Sequence, residues 1–179
     1  MGNNQHDTYT PIEAGTRIGH VHLKVSDLGR AIDFYHGILG FDVMTRMGDQ
    51  AAFLSAGGYH HHIGLNTWES RGGPAPAPGT TGLYHSAILY PSRQALGRAL
   101  RRLVDAGYPL GGASDHGVSE ALYLSDPDGN GVELYRDRPQ EEWPRDEAGN
   151  LTMHNRRLDL EGLLRAADEP EGTPEPARA

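Results

Sequence analysis

The sequence predicts an α+β fold made of two successive β-α-β-β-β modules. Three observations carry that prediction. Hydrophobic periodicity alternates along the chain between the two-residue period of a strand and the wider period of a helix. The same order of strand and helix patterns occurs twice. Gly-rich and Asp/Asn-rich turn signals fall where each module needs a reversal. A two-copy internal repeat of this kind constrains the fold more than any single element does.

Segment 1–16 is polar and is expected to be flexible. The first module spans 17–68. Ile18 to Val25 alternates, with Val21, Leu23 and Val25 on one face and His20, His22 and Lys24 on the other. Ser26 or Asp27 caps a helix from Leu28 to Leu39, and Gly40 stops it. Its buried stripe is Ala31, Ile32, Phe34, Tyr35, Ile38 and Leu39. Strand-like runs follow at Phe41 to Met47, Gln50 to Ser55 and His60 to Trp68. Gly48-Asp49 and Gly57-Gly58 mark the turns between them. The linker, 69–82, contains RGGPAPAPGTTG and reads as a semi-stiff connection.

The second module spans 83–137 and repeats the pattern. Leu83 to Tyr90 is a strand, and Ser92 to Ala106 is an amphipathic helix with Leu96, Leu100, Leu103 and Val104 on one face. Strands are expected at Tyr108 to Ser114, Glu120 to Ser125 and Gly131 to Arg136. The last two form a hairpin around Asp126-Pro127-Asp128-Gly129-Asn130-Gly131. Leu122, Leu124, Val132 and Leu134 share one face; Tyr123, Glu133 and Tyr135 share the other. His20 and His85 hold equivalent places in the first strands of the two modules. The C-terminal extension, 138–179, holds a short strand and a short helix within Leu151 to Ala166, and its Pro/Glu-rich end is expected to be disordered.

Composition bounds the chemistry. The net charge of −8 gives nucleic acid no electrostatic footing. No apolar run reaches membrane-spanning length, and the N-terminus lacks a signal-peptide core, so the default location is cytoplasmic. With 0 cysteines, any metal must be held by His, Asp or Glu. Of the 10 histidines, most fall between His20 and His85.

The paired modules, with HVHLKVSDLGRAIDFYHGILGF starting at His20 and YLSDPDGNGVELY starting at Tyr123, resemble the vicinal oxygen chelate superfamily. That group includes glyoxalase I, extradiol ring-cleaving dioxygenases, fosfomycin-resistance transferases and bleomycin-binding proteins. The resemblance covers Ile18 to Asp137. It implies that eight strands form an open cup, with the helices outside and a metal inside. Strand parity is an independent check. His20, His62, His85, Tyr123 and Glu133 each lie opposite in parity to apolar neighbours and are expected on the concave side.

By resemblance, His20, His85 and Glu133 are the metal ligands, a two-His one-carboxylate set that leaves positions open on iron(II), with manganese(II) as the alternative. The resemblance to extradiol dioxygenases is narrower. His62-Ile63-Gly64-Leu65-Asn66 is similar to their acid–base His strand, and Tyr123 stands ten residues before Glu133 with a DPDGN turn between. His116 fits the further histidine that precedes that Tyr strand. The resemblance thus implies His62, His116 and Tyr123 as catalytic residues, a catechol-type aromatic diol and dioxygen as substrates, and a homodimer. A glyoxalase-like lyase or isomerase using Ni, Zn or Mn, and a metal-free binding protein of the bleomycin-resistance type, are the competing readings. Glyoxalases take another carboxylate from the last strand of module one, and none stands there before Glu69. Among the remaining residues, His22 could line the pocket or the surface. His61 should face away from the cup, His36 should be solvated, and Trp68 should be core.

Overall fold

A computed structural model describes residues 10–172. The expected flexible segment up to residue 9 and the expected disordered end from residue 173 lie outside the described residues. Two β-α-β-β-β units follow one another. The first holds β1 (Val21–Lys24), α1 (Leu28–Ile32), β2 (Asp42–Met47), β3 (Ala51–Ser55) and β4 (Ile63–Asn66). The second holds β5 (Ser86–Leu89), α2 (Arg93–Asp105), β6 (Gly112–Asp115), β7 (Ser119–Ser125) and β8 (Gly131–Asp137). A two-residue strand, β9 (Arg156–Arg157), and a helix, α3 (Leu160–Ala166), come from the extension. The strands form two sheets, ordered β1-β4-β3-β2 and β5-β8-β7-β6-β9. In each module the first strand runs parallel to the last. The eight repeat strands are therefore joined within each module, and β9 adds a ninth.

The helices follow from their caps and stripes. The Asp27 side chain accepts from the Arg30 backbone N–H at 2.8 Å and opens α1. The helix predicted through Leu39 widens into a π-helical turn over Asp33–Ile38. That wider turn lets the adjacent residues Phe34 and Tyr35 both be buried, each 1% exposed. Ser92 caps α2 by accepting from Ala95 N–H at 3.0 Å. Leu96, Leu100 and Leu103 are buried as predicted, whereas Val104, at the margin of the stripe, is exposed. The helices meet across the module boundary, where Arg102 donates to the Leu39 carbonyl at 2.9 Å. One hydrophobic cluster runs through both modules and includes Leu23, Leu54, Leu65, Leu100, Leu122 and Leu134. Each fully buried leucine contributes roughly 1.5–3 kcal/mol.

The β7–β8 hairpin has the predicted register, with Leu122 opposite Leu134 and Tyr123 opposite Glu133. Glu120 and Arg136 also lie opposite each other, on the apolar side. Glu120 is 3% exposed and accepts from Arg93, Arg136 and Arg138 at 3.1, 2.9 and 3.1 Å. The Arg93 guanidinium also donates to the Gly162 carbonyl, which ties the extension to α2. Further out, Asp168 pairs with Arg101 at 3.1 Å, and Glu171 pairs with Arg98. Among the described residues, no helix is long and apolar enough to cross a membrane.

Removing Glu120 leaves buried guanidinium groups without their shared carboxylate. Glu120→Ala should lower unfolding free energy by about 3–5 kcal/mol, read as a drop in the urea midpoint. An unchanged midpoint would show that the cluster does not hold the second sheet to the extension.

Candidate functional site

The hairpin places the first two site residues. In β-structure, residues directly opposite one another share a face. Tyr123 and Glu133 therefore stand side by side on the polar face, with the phenol oxygen 3.2 Å from Glu133 Oε1. Glu133 Oε2 lies 2.8 Å from His85 Nε2. His85 is the residue immediately before β5, which runs parallel to β8. Gly131 allows that approach: a Cβ there would come within 2.1 Å of the Tyr84 carbonyl and 3.0 Å of His85 Cβ. Burial, the Glu133 charge and the Glu133 hydrogen bond push the Tyr123 phenol up to about 12. It therefore keeps its proton at neutral pH.

His116 enters from the β6–β7 loop. Its Nε2 lies 2.7 Å from the Tyr123 hydroxyl. Its Nδ1 lies 3.1 Å from the main-chain carbonyl of His154, in the extension. His85, Glu133, Tyr123 and His116 thus form one connected chain of side chains.

The other site residues belong to the first sheet. His20 immediately precedes β1, as His85 precedes β5, so the predicted equivalence of the two positions holds. His20 is exposed, and its ring centroid lies 4.4 Å from that of His61. His62 accepts at Nδ1 from the Ala56 N–H at 3.3 Å and lies 3.1 Å from Ser55 Oγ. A backbone N–H can only donate, so the neutral His62 ring carries its hydrogen on Nε2. A cleft of about 530 Å³ separates β1 from β5. Its lining includes His20, Val21, His62, Ser86 and Ile88. His22 lies over Gly64, between Phe53 and Trp68. Burial and then the neighbouring His20 hold His22 below the ordinary imidazole value. Desolvation, and then the histidines around it, do the same for His61. Low values favour neutral rings, the form that binds metal.

The structure brings together four of the six predicted site residues and leaves His20 and His62 on the cleft. Among the described residues, no group of three or more His, Asp or Glu side chains is gathered closely enough to hold a metal ion. Two expectations need correcting. His61 does not turn away from His20 but rests against it, because β4 begins only at Ile63 and strand parity does not reach back to His61. Trp68 is 55% exposed, since β4 ends at Asn66. The sequence reading missed Ser55, which has no motif, and the His154 carbonyl, which no side chain announces.

A family model described as the Glyoxalase/Bleomycin resistance protein/Dioxygenase superfamily matches residues 17–134. The chain is 44% identical over 164 residues to catechol-2,3-dioxygenase of Bacillus subtilis strain 168, covering 92% of this chain and 56% of that protein. It is 33% identical over 121 residues to biphenyl-2,3-diol 1,2-dioxygenase 3 of Rhodococcus globerulus, covering 68% of this chain and 63% of that protein. The chain thus spans less than two thirds of the length of either relative. The crystal structure of a glyoxalase/dioxygenase from Nostoc punctiforme matches with a TM-score of 0.58 at 20% identity, over 73% of this chain and 99% of that one; this is a likeness of fold. With the paired modules and the family match over most of its length, the chain belongs to the glyoxalase/bleomycin resistance protein/dioxygenase superfamily.

Proposed function

We propose that the protein is an extradiol dioxygenase, cleaving a catechol-type aromatic ring with dioxygen and iron(II). One observation carries the reading: Glu133 is shared between His85 and a Tyr123–His116 pair. The names of the two relatives point the same way.

An imidazole nitrogen and a carboxylate oxygen meet at 2.8 Å, and that pair suits iron(II) or manganese(II). His20, on the β1–β5 cleft, is the third donor we assign. Iron(II), when bound, supplies a centre that can hold diol and dioxygen together and pass electron density between them. Tyr123 stands beside Glu133 Oε1 and offers its oxygen to a diol hydroxyl. His62 is held by Ser55 and Ala56 at Nδ1, which leaves Nε2 as the position that gives and takes a proton. The ring opens beside the diol, and both atoms of dioxygen enter the product. In the glyoxalase-like alternative, the first carboxylate after the last strand of module one is Glu69, but it pairs on the surface with Lys24 at 3.5 Å. Association as a homodimer is part of the proposal. The exposed apolar side chains Ile18, Leu83, Tyr84 and Leu89, in and before β1 and β5, support it.

Iron(II)-loaded protein should consume oxygen with at least one catechol and contain one metal per chain. His85→Ala and Glu133→Ala should each lose the metal by elemental analysis. An oxygen electrode that stays flat across a catechol panel would overturn the dioxygenase reading.

His62→Phe should keep its iron and still bind catechol, while turnover falls by something like 10²–10⁴-fold. Tyr123→Phe should retain iron with a smaller loss. Loss of iron from His62→Phe would remove His62 from the acid–base role. Light scattering should give twice the chain mass; a monomer at working concentration would remove the dimer.

A further inference from the structure

The C-terminal extension reaches the site through His154. The His154 carbonyl oxygen sits 3.1 Å from His116 Nδ1. In return, the His154 N–H donates to the His116 carbonyl at 3.2 Å. Several contacts hold the extension there. Arg156 and Arg157 of β9 pair with Asp115 and Ser114 of β6. The Arg138 N–H donates to the Val118 carbonyl at 2.8 Å. Gly117, at φ +81°, lets the strap lie close, since a Cβ there would be 2.6 Å from His154 Cε1 and 2.9 Å from Pro144 Cγ.

A carbonyl oxygen accepts and cannot donate, so His116 Nδ1 carries the hydrogen. In the neutral ring, Nε2 is then bare. The group facing it is the Tyr123 hydroxyl, at 2.7 Å. Tyr123 has one proton and two neighbours that could take it, His116 Nε2 and Glu133 Oε1. We propose that the extension acts as a positioning element: the His154 carbonyl fixes His116 as its Nδ1–H tautomer and so turns the Tyr123 hydroxyl toward His116. Tyr123 then meets the substrate as an acceptor for a diol hydroxyl. If His116 took the Nε2–H form that free histidine prefers, the direction would reverse. His116 would donate to Tyr123, and Tyr123 would donate to Glu133.

The tautomer rests on geometry alone, and its effect on turnover rests on the dioxygenase reading. Long-range ¹H–¹⁵N correlation on full-length, ¹⁵N-histidine-labelled protein reads the tautomer directly. His116 is identified as the signal missing from His116→Gln, and spectra are recorded above pH 8, where free imidazole is neutral. Wild-type His116 should show the Nδ1–H pattern; an Nε2–H pattern overturns the proposal. Arg156→Pro with Arg157→Pro removes the β9 backbone donors, and both side chains are exposed, so no core packing is lost. This variant should shift His116 toward the Nε2–H form and lower kcat roughly 10- to 100-fold, with KM and iron content unchanged. Retention of both the Nδ1–H pattern and wild-type kcat would refute the positioning role. If the iron-loaded wild type consumes no oxygen, the dioxygenase reading fails, and the tautomer spectrum still decides the clamp.

Discussion

The carboxylate of Asp126 is the constraint on which both the hairpin and the module interface depend. It is 4% exposed and sits in the turn between β7 and β8. Its Oδ1 accepts from the backbone N–H groups of Asp128 and Asn130, both at 2.9 Å. Its Oδ2 accepts from the Asn130 amide at 2.9 Å and from the Tyr35 hydroxyl at 3.1 Å. Four donors satisfy a buried charge that would otherwise be costly. Three of them fix the turn, and with it the register that sets Tyr123 beside Glu133. The fourth belongs to the other module. Burial and the Asp126 charge push the Tyr35 phenol up, so it stays a donor. Asp128 adds a second tie, accepting from Ser26 N–H at 2.9 Å, from Ser26 Oγ at 2.6 Å and from Arg30. A short polar turn thereby sets the hairpin register and holds the two modules together.

What was legible in the sequence divides along physical lines. Inside the ladders, side-chain parity is geometric, and the faces of Leu122, Tyr123, Glu133 and Leu134 were readable from alternation alone. Beyond the ladder ends that geometry lapses, which is why His61 and Trp68 went astray. The π-helical turn at Asp33–Ile38 adds one residue to a helical turn and leaves no mark in an apolar stripe. The Glu120–Arg136 pair was legible but not read: both lie on the apolar parity of the hairpin, an arrangement that requires compensating charge. The His154 carbonyl was not legible. A main-chain acceptor has no residue signature, and the contact spans 38 residues.

The two faces of the hairpin treat their carboxylates in opposite ways. On the core side, Glu120 is surrounded by three guanidinium groups that stay charged at every working pH. Such a carboxylate has no charge to spare for a cation. On the other face, Glu133 meets His85 and Tyr123, and among the described residues it forms no ion pair with Arg or Lys. A neutral phenol and an imidazole lie beside its oxygens without permanently cancelling its charge. Only the second environment keeps a negative charge available in a half-buried position while fixing where its oxygens point. An imidazole nitrogen beside that oxygen then supplies a second donor of the kind a divalent ion takes. Glu133 thus keeps a charge that a divalent ion can take, with its oxygens placed by His85 and Tyr123. The same reasoning explains why Glu120, more deeply buried, is a structural residue.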